Sequence, residues 1–115
     1  MEINLREKQG ITVVDIEGEI RRSEASNMTL HQIIKNQLDK NKKNFLLNMD
    51  KVEFIDSFGV GEILASYIST QNIGGSLKLT NISTKLSLVF QVTMLSKVFE
   101  IYNDEEKALE SFLKE

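Results

Sequence analysis

The chain has 115 residues, 27% of them charged, and a net charge of −3, which predicts one domain over 1–115 with its own core. It has no cysteine and a single histidine, His31, so disulfides, thiolate chemistry and Cys or His clusters around a metal are excluded. Acids and bases are interspersed, the first ten residues are charged, and no run approaches the roughly 20 apolar residues that span a bilayer. No nucleic-acid footprint, signal peptide or membrane segment is therefore expected, and a soluble cytoplasmic domain is.

Residues 3–6 form a short candidate strand, and Gln9-Gly10 has the composition of a hairpin turn. Residues 11–20 are rich in β-branched side chains. Val14, Ile16, Gly18 and Ile20 share one face and Asp15, Glu17 and Glu19 the other, which predicts a half-buried strand with a bulge or close approach at Gly18. From Ser23 the period becomes helical, with Leu30, Ile33, Ile34 and Leu38 in one stripe, and the lysine-rich residues 36–44 turn the chain.

Residues 45–49 are almost wholly apolar, as in an interior strand covered on both faces. A separate short run, Val52, Phe54 and Ile55, leads to Asp56-Ser57. Val60, Ile63, Leu64, Tyr67 and Ile68 then follow a helical stripe that Gly74-Gly75 stops. Leu77 and Leu79 alternate in another strand, residues 81–83 open a helix carrying Leu86, Val89 and Phe90, and residues 98–102 read as a last strand. Asn103 is placed to cap the final helix with Glu106 three residues on; the stripe of that helix is Ala108, Leu109, Phe112 and Leu113. The order β-β-α-β-α-β-α-β-α, opened by a hairpin and carrying about four helices, predicts an α/β fold with a mixed sheet, parallel at its centre.

Residues 55–61, Ile-Asp-Ser-Phe-Gly-Val-Gly, hold the chemistry. A serine between a strand and a helix is exposed, and the free N–H groups of the first helical turn favour an anion beside it. A phosphate on Ser57 would add about two negative charges at one surface point. Asp56 can orient that hydroxyl or cap the helix, two roles that do not exclude each other. Phe58 reads as a core residue or as an exposed aromatic beside the site, and Gly59 and Gly61 clear the first turn for another protein's approach. His31 reads as a solvated helix residue. A Ser-His-Asp hydrolase would need a G-x-S-x-G elbow, which is absent. Asp50 follows a buried strand as a receiver phosphoacceptor does, but the acid pair that holds Mg²⁺ is missing. No glycine-rich phosphate loop follows a strand, and no cofactor, metal or catalytic group is expected.

Over nearly its whole length the chain resembles STAS domains, the modules of bacterial anti-sigma-factor antagonists and of sulfate-transporter tails. The resemblance rests on Gly18-Glu19-Ile20 before the first helix, on Leu47-Asn48-Met49-Asp50-Lys51-Val52-Glu53-Phe54-Ile55-Asp56-Ser57-Phe58-Gly59-Val60, on Leu79-Thr80-Asn81, and on Leu95-Ser96-Lys97-Val98-Phe99-Glu100-Ile101. It implies that Ser57 is phosphorylated by a cognate anti-sigma serine kinase and freed by a phosphatase, and that the unmodified protein binds that kinase and releases its sigma factor. Three residues depart from the family pattern: Arg21 where Asp is usual, Asn48 where Asp is common, and Phe58 where a small residue flanks the phosphosite. The implied partner surface is Arg21, Asp56, Ser57, Phe58, Gly59 and Gly61. Its alternatives are a scaffold STAS subunit whose serine is never modified and a small-ligand or nucleotide-binding STAS domain.

Overall fold

The computed structural model describes residues 1–22 and 28–114. Among these, β1 (Glu2–Lys8) and β2 (Ile11–Ile20) form an antiparallel hairpin, and β3 (Asn44–Ile55), β4 (Ser76–Thr80) and β5 (Ile101–Tyr102) extend it in sequence order as parallel strands. The hairpin turn places Gln9 and Gly10 at φ 56° and 79°, the left-handed pair that matches the twist of the flanking strands and explains the glycine. Crossovers between successive neighbouring strands put α1 (Leu30–Asp39), α2 (Ser57–Asn72) and α3 (Thr84–Val92) on one face. Only α4 (Glu105–Leu113), which follows the edge strand, returns to the other face. The expected element order is the observed one.

Two apolar layers result. Val14, Ile16, Phe45, Leu47, Leu77 and Leu79 pack under Leu30 and Ile34 of α1, Val60 and Ile63 of α2, and Leu86 and Phe90 of α3. Ile11, Val13 and Leu46 pack on Ala108, Leu109 and Phe112 of α4. Here the structure corrects the half-buried reading of β2: its first four residues are all buried, because α4 closes the second face over them.

Four further elements differ from expectation. β3 runs unbroken through Asp50 and Lys51, since β2 continues to pair with it as far as Ile20↔Ile55. β3 carries an extra residue at each of two register shifts, one of them at Gly18, whose φ of 98° marks the expected bulge. The helical pattern begun at Ser23 falls partly outside the described residues; the described helix starts at Leu30, with Thr29 and Gln32 in a reciprocal capping box. The last strand is only two residues long. A 3₁₀ turn, Leu95–Lys97, precedes it and carries Phe99 into the core, edge-on to Tyr67 and Phe90 with centroids 5.2 and 5.8 Å away. Asp104, not Asn103, caps α4, accepting from the Lys107 N–H at 2.8 Å. The stop at Gly74-Gly75 is as expected: their N–H groups close onto the Gln71 and Thr70 carbonyls, with Gly74 at φ 79°.

Where α4 leaves the sheet face open, Arg6 ties three elements together. Its guanidinium pairs with both Asp15 oxygens at 2.6 and 2.9 Å and with Glu105 at 2.6 Å. These bonds to Arg6 are the main reason that the Asp15 and Glu105 carboxyls titrate below their ordinary values of 3.8 and 4.5. Folded values below the unfolded ones mean stabilisation present above the ordinary carboxylate range and lost as pH falls through the lowered values. The groups are partly exposed, so screening limits the gain. Arg6→Met should cost about 1–2 kcal/mol at pH 7 and less near pH 2, because the contribution of the pair declines as pH falls through the lowered carboxyl values. Urea unfolding at the two pH values checks this, and an equal loss at both would refute it.

Candidate functional site

The end of β2 and the start of α2 meet at one point. Ile55 is buried as the last residue of β3, and the Asp56 N–H then donates to the Ile20 carbonyl at 3.4 Å. Asp56 is extended, at φ −96° and ψ −176°, and its carboxylate accepts from the Gly59 N–H at 2.8 Å while its carbonyl accepts from Val60 N–H at 2.9 Å. Asp56 is therefore the helix cap, one of the two roles that the sequence offered for it.

With Asp56 capping, Ser57 becomes the first helical residue. It is exposed, and among the described residues its hydroxyl makes no hydrogen bond. The positive end of the α2 dipole lies directly behind it.

Gly59 departs from expectation. It is buried, and a Cβ added there would lie 2.8 Å from the Ile20 carbonyl carbon, 2.9 Å from Ile55 Cγ2, and closer still to the Ile20 oxygen. Its missing side chain lets α2 dock on the end of β2 and opens nothing to a partner. Gly61 is exposed with empty space above it, as expected.

Phe58 is neither wholly core nor wholly exposed. It is half-buried, and the Arg22 guanidinium lies over its ring, 5.1 Å from the centroid. Arg21, the residue that the sequence singled out, is exposed and paired with Glu19 at 3.0 Å. Arg21, Arg22, Phe58, Glu53 and Glu62 line one groove with Met28, between the end of β2 and the start of α2. The contact of Arg22 with Phe58 was missed because a cation–π pair between residues 36 positions apart leaves no local sequence signal.

Two other singled-out residues sit elsewhere. Asn48 lies on the α4 side of the sheet, donating to Asp15 at 2.8 Å and accepting from Asn81 at 3.1 Å and from the Asp50 N–H at 3.2 Å. An aspartate there would set a second carboxylate against Asp15, so the amide is the residue that this network requires. His31 is not simply solvated: Nε2 meets Ser69 Oγ at 2.9 Å and the His31 backbone N–H donates to Glu62 Oε1 at 3.1 Å, joining α1 to α2. The Lys40, Lys42 and Lys43 cluster is exposed, with Lys42 paired to Glu7 at 3.2 Å.

Among the described residues, no group of three or more His, Cys, Asp or Glu is placed to hold a metal ion, and no helix is long and apolar enough to cross a membrane.

Residues 2–108 match the family model of the STAS domain. In solved structures the chain is similar to an anti-sigma factor antagonist from Mycobacterium paratuberculosis, with TM-score 0.82 and 21% identity over 96% of this chain and 92% of that one. It is also similar to the Bacillus cell fate determinant SpoIIAA in its phosphorylated form, with TM-score 0.71 and 23% identity over 96% and 98%. A sulfate transporter family protein from Wolinella succinogenes aligns with TM-score 0.72 and 20% identity over 90% and 85%.

Proposed function

We propose, since the chain belongs to the STAS domain family, that it is a cytoplasmic anti-sigma-factor antagonist switched at Ser57. Unmodified, it binds a cognate anti-sigma serine kinase, which then releases its sigma factor. The kinase transfers the γ-phosphoryl group of ATP to Ser57 Oγ: the Oγ–P bond forms, ADP leaves, and the hydroxyl proton passes to a base on the kinase. A phosphatase hydrolyses the ester and resets the protein. The chain supplies no catalytic group; it acts as substrate and as binding surface.

The observation that carries this reading is the division of labour between Asp56 and Ser57. The carboxylate satisfies the helix start, so the serine hydroxyl is exposed and free of any structural bond among the described residues. Esterifying it breaks no cap and sets the dianion at the positive end of α2. A serine that capped the helix itself would lose its bond to Gly59 on modification.

Ser57→Ala should abolish labelling by the cognate kinase, sought among the ATP-dependent kinases of the same genome neighbourhood, while leaving binding to that kinase within about twofold, because the residue is exposed and carries no cap. Mass spectrometry of the labelled chain reads the first effect and calorimetry the second. Labelling that persists undiminished in the alanine variant would sink the proposal. Binding of the kinase with no phosphate transferred to the wild-type chain would instead support the scaffold alternative.

A further inference from the structure

The Arg22 side chain lies over Phe58, the residue next to Ser57, in a place where no carboxylate pairs with it among the described residues. We infer that Arg22 is a phosphate-pairing residue: when Ser57 carries a phosphate, the guanidinium leaves the Phe58 ring and pairs with the dianion, uncovering the aromatic face.

The geometry favours this residue over its neighbour. Ile20 ends β2 in direct contact with the start of α2, through the Asp56 N–H and the close approach of Gly59, so residues 21 and 22 emerge at the turn that carries Ser57, where Arg22 meets Phe58. Arg21 is already bound to Glu19 at 3.0 Å, whereas among the described residues Arg22 meets only the Phe58 ring. An exposed cation–π contact is weaker than a guanidinium–phosphate pair, which forms two parallel charge-assisted hydrogen bonds. Adding the phosphate therefore reverses the preference of Arg22.

The other charged groups around the site, among the described residues, are the Met1 α-amino group, Glu19 and Arg21 at the end of β2, Glu53 on β3, and Asp56 and Glu62 at the start of α2. Four of these six are acids, and they raise the cost of a new dianion. Arg22, whose guanidinium already lies over the residue next to Ser57, offsets it. The phosphorylated surface is thus changed twice, by the new charge and by an aromatic ring freed of its cover, and a partner reads both.

The inference rests on Ser57 carrying a phosphate, so its test supplies that phosphate without a kinase. Phosphoserine is incorporated at position 57 of the full chain during translation, and its second ionisation is followed by phosphorus NMR. Arg22→Gln should raise the titration midpoint by at least about half a pH unit, Arg22→Lys should recover part of that change, and Arg21→Gln should have a smaller effect. In the unphosphorylated wild-type chain the Arg22 side-chain protons should be shifted upfield by the Phe58 ring, and on phosphorylation they should return towards ordinary values. An unchanged midpoint in Arg22→Gln, an equal effect of Arg21→Gln, or ring-shifted protons that do not respond to the phosphate would each overturn the assignment. None of these results depends on a kinase, so failure to find kinase labelling refutes only the switch at Ser57, and an Arg22-independent titration refutes only the phosphate-pairing role.

Discussion

Gly59→Ala is expected to destabilise the protein by about 3 kcal/mol or more and to push the first turn of α2 away from β2. The added methyl would meet the Ile20 carbonyl group and Ile55 Cγ2, with the carbonyl carbon at 2.8 Å and its oxygen nearer. That carbonyl belongs to a sheet strand and accepts the Asp56 N–H, so it has no easy way to yield. Alanine is intrinsically better than glycine in a helix by about 1 kcal/mol, but overpacking against backbone outweighs that gain. Gly61 provides the contrast two residues on. Open space lies above it, so Gly61→Ala should stabilise by about 0.5–1 kcal/mol. Urea unfolding of the two variants decides the matter. A Gly59→Ala protein as stable as the wild type would mean that the junction of β2 with α2 is looser than the structure describes. Because Ser57 sits on that same turn, the variant should also lose kinase labelling.

The second large effect concerns binding. Ser57→Glu should weaken binding of the anti-sigma partner at least tenfold, and phosphorylation by about a hundredfold, which is roughly 2.7 kcal/mol. An exposed charge at an interface rim is worth under about 1 kcal/mol, too little for such a switch. Taking a charge out of water at the centre of a contact costs several kcal/mol even where one cation pairs with it, and Asp56 adds like-charge repulsion. The surface around Ser57 suits a central role. Gly61 and the exposed Ile68 lie four and eleven residues further along α2, on the same helix face, and offer a small or apolar surface that a partner can desolvate. Calorimetry of Ser57→Glu across a salt series separates the mechanisms. Binding that stays weak at high salt is the expected result; recovery to near wild-type affinity would place Ser57 at a rim and refute a buried centre.

The element order, most of the helical stripes and the helix start at Asp56-Ser57 were legible because each is written in local spacing, although Ile68 and Leu113, which follow the stripes of α2 and α4, are exposed. Gln9-Gly10 forms a tight turn of left-handed residues, Gly74 terminates α2 in the way its lack of a side chain permits, and Asp56-Ser57 before a helical stripe marks a helix start. The sequence by itself also placed Ser57 at the surface, since the first residues of a helix that follows an interior strand emerge at the edge of the sheet.

What it left undecided are the relations between distant segments. Whether β2 is buried on one face or two depends on where α4 lands, and no period within residues 11–20 encodes that. The unbroken β3 depends on register with β2, because Asp50 and Lys51 are ordinary strand residues only while a neighbour supplies the ladder. Gly59 looks like its neighbour Gly61 in a one-dimensional string. One faces the Ile20 carbonyl and the other faces open space, a difference set by the docking of a helix against a strand that ended some 40 residues earlier. Arg21 and Arg22 are likewise equivalent as letters, and only tertiary packing assigns one to Glu19 and the other to Phe58. Local geometry is set by residues within a turn or two and can be read in order; contacts across the sheet follow from how its layers pack, and these the tertiary structure alone decided.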